Sequence, residues 1–152
     1  MACKNNDTAC SKDTVSLLKE VNSGVQMGVQ GIIDVLDKIM DNNLKKILES
    51  SLNEHKRLGD ETHKMLISYG EETKEAHPIA KEMAAIKTTM KMAVDENDET
   101  AADLISDGCH MGVKSLSKYL NQYKKAEEKA KDIAKKLISM EESLDIKLRA
   151  YL

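Results

Sequence analysis

The chain is expected to be all-α: an antiparallel four-helix bundle made of two helical hairpins joined by a long crossover. Three observations carry this expectation. Aromatic residues are only 3% of the 152, with no Phe or Trp and a single proline, while charged residues reach 32%. Long amphipathic helices packed through Leu, Ile, Val, Met and Ala have this composition. Four stretches place apolar residues at helical steps, with little of the period-two alternation of a strand. Finally, Gly24-Val25-Gln26-Met27-Gly28-Val29 returns as Gly108-Cys109-His110-Met111-Gly112-Val113, which suggests a duplicated helix pair.

Residues 1–13 read as a flexible polar N-terminal arm and residues 14–152 as a single four-helix-bundle domain. The first helix is expected over residues 14–40, where Val15, Leu18, Val21, Val25, Val29, Ile32 and Leu36 form its apolar stripe. Asp41-Asn42-Asn43 supplies turn chemistry. A second apolar face then runs from Leu44 through Leu48, Leu52, Leu58 and Met65 to Tyr69-Gly70, where glycine suits a C-cap. A charged stretch and Pro78 open a crossover, with a short helix expected from Ile79 to Val94. Asp95-Glu96-Asn97-Asp98 breaks that helix and caps a third long one, running through Ala101, Ile105, Met111, Leu116 and Leu120. Asn121–Lys125 is the expected turn, and Ala126, Ala130, Ile133, Leu137, Leu144, Leu148 and Tyr151 trace the fourth helix. Short connections within each hairpin and a long one between them are the topology of ferritin-like bundles.

The net charge is −3, from 23 basic and 26 acidic residues mixed along the chain. That leaves no footprint for nucleic acid or anionic lipid. No run of about 18 apolar residues and no signal peptide is present, so neither a membrane nor a nucleic-acid partner is expected and a cytoplasmic location is. The three cysteines are too few for a disulfide framework, in keeping with a reducing compartment. Cys3 and Cys10 read as solvated thiols on the arm.

Two segments, Gly28-Val29-Gln30-Gly31-Ile32 and His110-Met111-Gly112-Val113-Lys114, together with the order of elements over roughly residues 14–150, carry a family likeness. The chain resembles an uncharacterised bacterial family of ferritin-like four-helix-bundle proteins with a Gly-Val-Glu-Gly-Tyr type segment in the first helix and an acidic-Arg-Gly-Glu-Asp type segment in the third. The resemblance implies a ferritin-like fold. It also exposes a departure, because Gln30, Val113 and Lys114 stand where that pattern has acidic residues. A ferritin-type di-iron site takes a Glu from each of two helices and Glu-x-x-His from the other two. Here Leu52 precedes His55 by three positions, Asp60 precedes His63, and the fourth helix has no histidine.

His55 shares a side of the second helix with Leu48, Leu52 and Leu58 and is expected to be a core or boundary histidine. Glu54, Glu61 and His63 form a polar stripe that reads as solvated helix face, or alternatively as metal ligands joined by Glu141 or Glu142 of the fourth helix. Cys109-His110-Met111 offers thiolate, imidazole and thioether, the soft ligands suited to copper. Adjacent helical residues point about 100° apart, however, so Cys109 and Met111 are expected in the core. The repeated glycines, each costing about 1 kcal/mol in a helix interior, are expected to let the first and third helices approach closely, ahead of standing as surface glycines or making room for a small ligand. Catalytic motifs are lacking, and sequence-adjacent carboxylates such as Glu141-Glu142 diverge around a helix.

The expected function is therefore a non-catalytic ferritin-like bundle acting through protein association, as a homo-oligomer and without a cofactor. The alternative is a metal-binding or redox protein of the ferritin superfamily. It would hold iron or another transition metal at a nonstandard site drawn from His55, Glu54, Glu61, His110 and Cys109. No small-molecule ligand is identified at this level.

Overall fold

The first helix begins at a cap. Asp7 accepts the backbone N–H of Cys10 on its side chain at 2.9 Å, satisfying one of the donors that a first helical turn leaves orphaned. Helix α1 then spans Thr8–Leu36, so residues 8–13, expected in the arm, are helical. This computed structural model describes residues 3–4, 6–72 and 96–152; the crossover helix expected over Ile79–Val94 lies outside them.

Helix α2, Asn42–Ser68, starts at Asp41, whose carboxylate accepts from the N–H groups of Asn43 and Leu44, each at 2.8 Å. It ends as expected at Gly70, which adopts φ +74°. Gly70 N–H donates to the Ile67 carbonyl and Glu71 N–H to that of Leu66, the Schellman pattern that needs a left-handed residue. Helix α3, Asp98–Gln122, is capped by Asn97, which accepts from Thr100 N–H at 2.7 Å. Helix α4, Glu128–Leu148, runs into a 3₁₀ turn over Arg149–Tyr151. Asp98 ties the start of α3 to the α1–α2 turn by accepting from the N–H groups of Met40 and Asp41, both at 2.8 Å.

The two hairpins, α1 with α2 and α3 with α4, pack so that α1 lies against α3 and α4 while α2 lies against α4. Their apolar seams meet in two separate clusters. One joins Leu17, Leu18, Val21 and Val25 to Leu58, Leu66, Leu116, Ile133 and Leu137. The other joins Ile32, Val35, Leu44 and Leu48 to Ala101, Ile105, Cys109, Leu144 and Leu148. Burying each large aliphatic side chain contributes roughly 1.5–3 kcal/mol.

The amino terminus departs from expectation. Cys3 and Cys10 are joined by a disulfide, with Cα atoms 5.7 Å apart, rather than standing as solvated thiols. The reducing-compartment argument therefore loses two of its three thiols. Cys3 is anchored further, its N–H donating to Glu127 Oε2 at 3.2 Å. Tyr69 O–H donates to the same carboxylate oxygen at 2.7 Å, and Glu127 N–H donates to Thr14 Oγ1 at 2.8 Å. Burial, followed by the hydrogen bond and charge of Glu127, pushes the Tyr69 phenol up to about 12. One clasp thus draws together the ends of α1, α2 and α4. No helix among the described residues is long and apolar enough to cross a membrane.

Candidate functional site

Between the two apolar clusters each helix contributes one residue that interrupts its seam. These are Gly28 on α1 between Val25 and Ile32, His55 on α2 between Leu48 and Leu58, Gly112 on α3 between Cys109 and Leu116, and Glu141 on α4 between Leu137 and Leu144. The result is a polar layer across the middle of the bundle. His55 and Glu141 are both buried, and His55 Nε2 lies 2.8 Å from Glu141 Oε1.

The imidazole is held at both nitrogens. Nδ1 lies 2.8 Å from the Ser51 carbonyl oxygen, which can only accept, so Nδ1 carries the donated proton. The contact between Nε2 and the carboxyl group then needs one further proton, shared by the pair. Burial is the largest influence on His55 and pushes its pKa down. The hydrogen bond to Glu141, that carboxylate's charge, the Ser51 backbone and the charge of Glu54 outweigh it together, leaving His55 above its ordinary 6.5. The layer is accordingly a hydrogen-bonded His55–Glu141 pair that shares one proton and is neutral as a unit.

The repeated glycines make room for this pair. A Cβ at position 28 would stand 2.8 Å from His55 Cδ2 and 2.9 Å from Nε2, closer than real Cβ atoms come. A Cβ at position 112 would meet the Glu141 side chain at 3.6 Å. At position 24 it would meet Leu137 Cδ2 at 3.5 Å, and at position 108 it would meet nothing within 4 Å among the described residues. The expected close approach of helix backbones is therefore not what these glycines serve. They accommodate side chains from α2 and α4 and leave open space between α1 and α3.

That space is a cavity of about 260 Å³. Its walls are α1 and α3, and His55, Leu137, Glu141 and Leu144 close it from the other two helices. Cys109 is buried within it, whereas Met111, expected in the core, is 61% exposed at its edge. Two residues apart on a helix are rotated by about 200°, which separates them. Burial pushes the Cys109 thiol up, and the neighbouring carboxylates of Glu141 and Asp145 push it further, so Cys109 is a neutral, unreactive thiol at physiological pH.

The five residues considered as metal ligands do not converge. Glu54 is exposed, and Glu61 pairs with Lys136 at 3.3 Å on the surface. His110 is exposed and lies 3.2 Å from Asp145 Oδ1. Asp145 also accepts from Ser106 O–H at 2.5 Å and from Arg149. The Ser106 bond leads in holding Asp145 below its ordinary value against the opposing effect of burial, with Arg149 and His110 adding to it. Of the five, only His55 and Cys109 face the cavity. Gln30 donates to Asp34 at 2.6 Å and Lys114 is exposed, so neither enters the bundle centre as a ligand. Among the described residues no three His, Cys, Asp or Glu side chains form a group able to hold a metal ion. The donors present do not fit a di-iron centre, whose two cations need several carboxylates where this layer offers one.

Sequence reasoning considered Glu141 only as a metal ligand and missed it as the partner of His55, and it ranked space for a small ligand below close helix approach. The repeated glycines were the available signal. No family model matches the chain, and no curated protein matches it in sequence. Among solved structures it is similar to Dps92 from Deinococcus radiodurans, with a TM-score of 0.74 over 95% of this chain and 88% of that one, at 12% identity. The chain thus has the ferritin-like fold, with a proton-sharing His–Glu layer at its centre.

Proposed function

We propose that this chain is a non-catalytic binding protein on the ferritin-like fold, one that takes a small organic molecule into the bundle. The observation that carries this reading is the cavity of about 260 Å³ between α1 and α3. A dry apolar cavity of roughly 150 Å³ accepts benzene, so this one has room for about ten non-hydrogen atoms. Its walls are mainly apolar with a few fixed polar groups, the usual make-up of a ligand site. The test is an NMR titration of the full chain with a neutral aromatic probe, indole. Shifts are expected at the amides of Gly24, Gly28, Gly108 and Gly112. Probes at millimolar concentration that move none of these would overturn the reading. Adding ferrous iron, zinc or copper in parallel addresses the metal-binding alternative, for which a rise in melting temperature at micromolar metal would speak.

Association into a homo-oligomer is favoured by a separate observation. Met40 is 84% and Leu152 56% exposed. Both lie at the same end of the bundle, where Tyr151 packs against the cluster that holds Ile39 and Leu44. Single exposed apolar residues are unremarkable, but a shared apolar end suits a second copy. Sedimentation of wild type against Met40→Lys at micromolar concentration tests this. A monomer in both would count against it.

A further inference from the structure

The cavity's chemistry narrows its ligand class, an inference that rests on the binding reading above. Three carboxylates line it, those of Glu20, Asp107 and Glu141, and among the described residues no Lys or Arg does. The basic group on its wall, His55, is engaged by Glu141 at 2.8 Å. Once that pair is taken as neutral, the lining keeps two negative charges with no compensating cation among the described residues.

Aromatic residues supply an independent observation. The chain has four tyrosines and no other aromatic residue, and two of them gather at one end of this cavity. Tyr119 lines it, and the rings of Tyr119 and Tyr123 stack with centroids 6.3 Å apart. Glu20 lines the same cavity as Tyr119, and after burial, the larger influence, its carboxylate helps to raise both phenols. A carboxylate beside aromatic faces is the arrangement that recognises an ammonium group, through charge pairing and attraction to the ring. Beyond it, the cavity is walled by the glycine-bared surfaces of α1 and α3 and by Leu116, Leu137 and Leu144, which suit an apolar body.

We propose that the cavity binds a small organic cation: a protonated amine whose ammonium sits at the Glu20–Tyr119 end and whose apolar body, of about ten non-hydrogen atoms, lies over Gly28 and Gly112. The site excludes anions, and it discriminates against neutral molecules of the same shape because they leave the two rim carboxylates without a counter-charge.

Calorimetric titration of the full chain tests this with three matched probes: 4-phenylbutylamine, 4-phenylbutanol and 4-phenylbutyrate. The amine is expected to bind at least tenfold more tightly than the alcohol, and the acid not to bind. Glu20→Gln should bring the amine to the level of the alcohol. Gly108→Leu, placed where a Cβ meets nothing within 4 Å among the described residues, should fill the cavity and abolish binding of both while leaving the melting temperature at or above wild type. Equal binding of amine and alcohol, or a preference that survives Glu20→Gln, would overturn the cation inference and leave the cavity reading standing. No binding by any probe, or binding that Gly108→Leu does not affect, would overturn both.

Discussion

Gly28→Ala and Gly108→Ala are chemically identical substitutions in the interiors of duplicated helices, and they are expected to change stability in opposite directions. Helix propensity alone favours alanine by about 1 kcal/mol at either position. At position 108 nothing among the described residues lies within 4 Å of the new methyl group, so that gain is undiminished and raises the melting temperature by about 2–4 °C for a chain of this size. At position 28 the methyl carbon would stand 2.8 Å from His55 Cδ2. The ring cannot simply swing aside, because Nδ1 is held 2.8 Å from the Ser51 carbonyl and Nε2 2.8 Å from Glu141. Overpacking costs about 1–3 kcal/mol, and losing the buried pair costs about 3–5 kcal/mol. Even if the ring shifts without releasing Glu141, the net is a loss of up to about 2 kcal/mol. If it releases Glu141, the loss is larger. Urea unfolding of both variants, with ¹⁵N chemical shifts of the His55 ring, measures these changes. A Gly28→Ala protein as stabilised as Gly108→Ala, with unchanged ring shifts, would refute the assignment of the second glycine as the space for the imidazole.

Three further outcomes follow from the same geometry. Glu141→Ala leaves a buried imidazole without its partner and should lower stability by about 3–5 kcal/mol, whereas the double change His55→Leu with Glu141→Leu should recover most of that; denaturant midpoints compare them. Because the folded pKa of His55 is raised above 6.5, its contribution to stability is complete below pH 6.5 and is lost as the pH rises through the folded value. Unfolding free energy should therefore fall across that interval in wild type and fall less in His55→Leu. Reducing the Cys3–Cys10 disulfide, which closes a short loop with a sequence separation of 7, should cost up to about 2.5 kcal/mol by the loop-entropy argument. A melting temperature that dithiothreitol leaves unmoved would show the clasp to be held by Tyr69, Glu127 and Thr14 alone.

The helices were legible because their signals are local. Gly70 ends α2 through its positive φ, and Asn97 caps α3, as their positions in the sequence led one to expect. The start of α1 at Thr8 was less legible, since it follows an Asp7 cap whose helix is reinforced by a disulfide across the first turn. Met111 fell on an apolar step yet lies at the cavity edge, because periodicity places a residue on a face without saying whether another helix covers that face. The glycines could be recognised as a packing device, but their target could not. The ring above Gly28 comes from α2, and its partner Glu141 lies 86 residues further along the chain. No local pattern links those positions. The disulfide likewise depends on the arm folding back, which spacing alone does not reveal.

The central layer also bears on which hairpins pair. The two hairpins share the glycine segment but differ at the buried polar position, where the first carries His55 and the second Glu141. Exchange of hairpins between two molecules is a hazard for any duplicated bundle. Two first hairpins packed together would bury imidazole against imidazole, and two second hairpins carboxylate against carboxylate; only the unlike pair matches groups of opposite charge preference across one hydrogen bond. A single divergence between the duplicated halves thus makes each hairpin a poor match for its own copy and a good one for the other, and it sets their longitudinal alignment. A slip of one turn, about 5.4 Å, would leave both charges buried and apart.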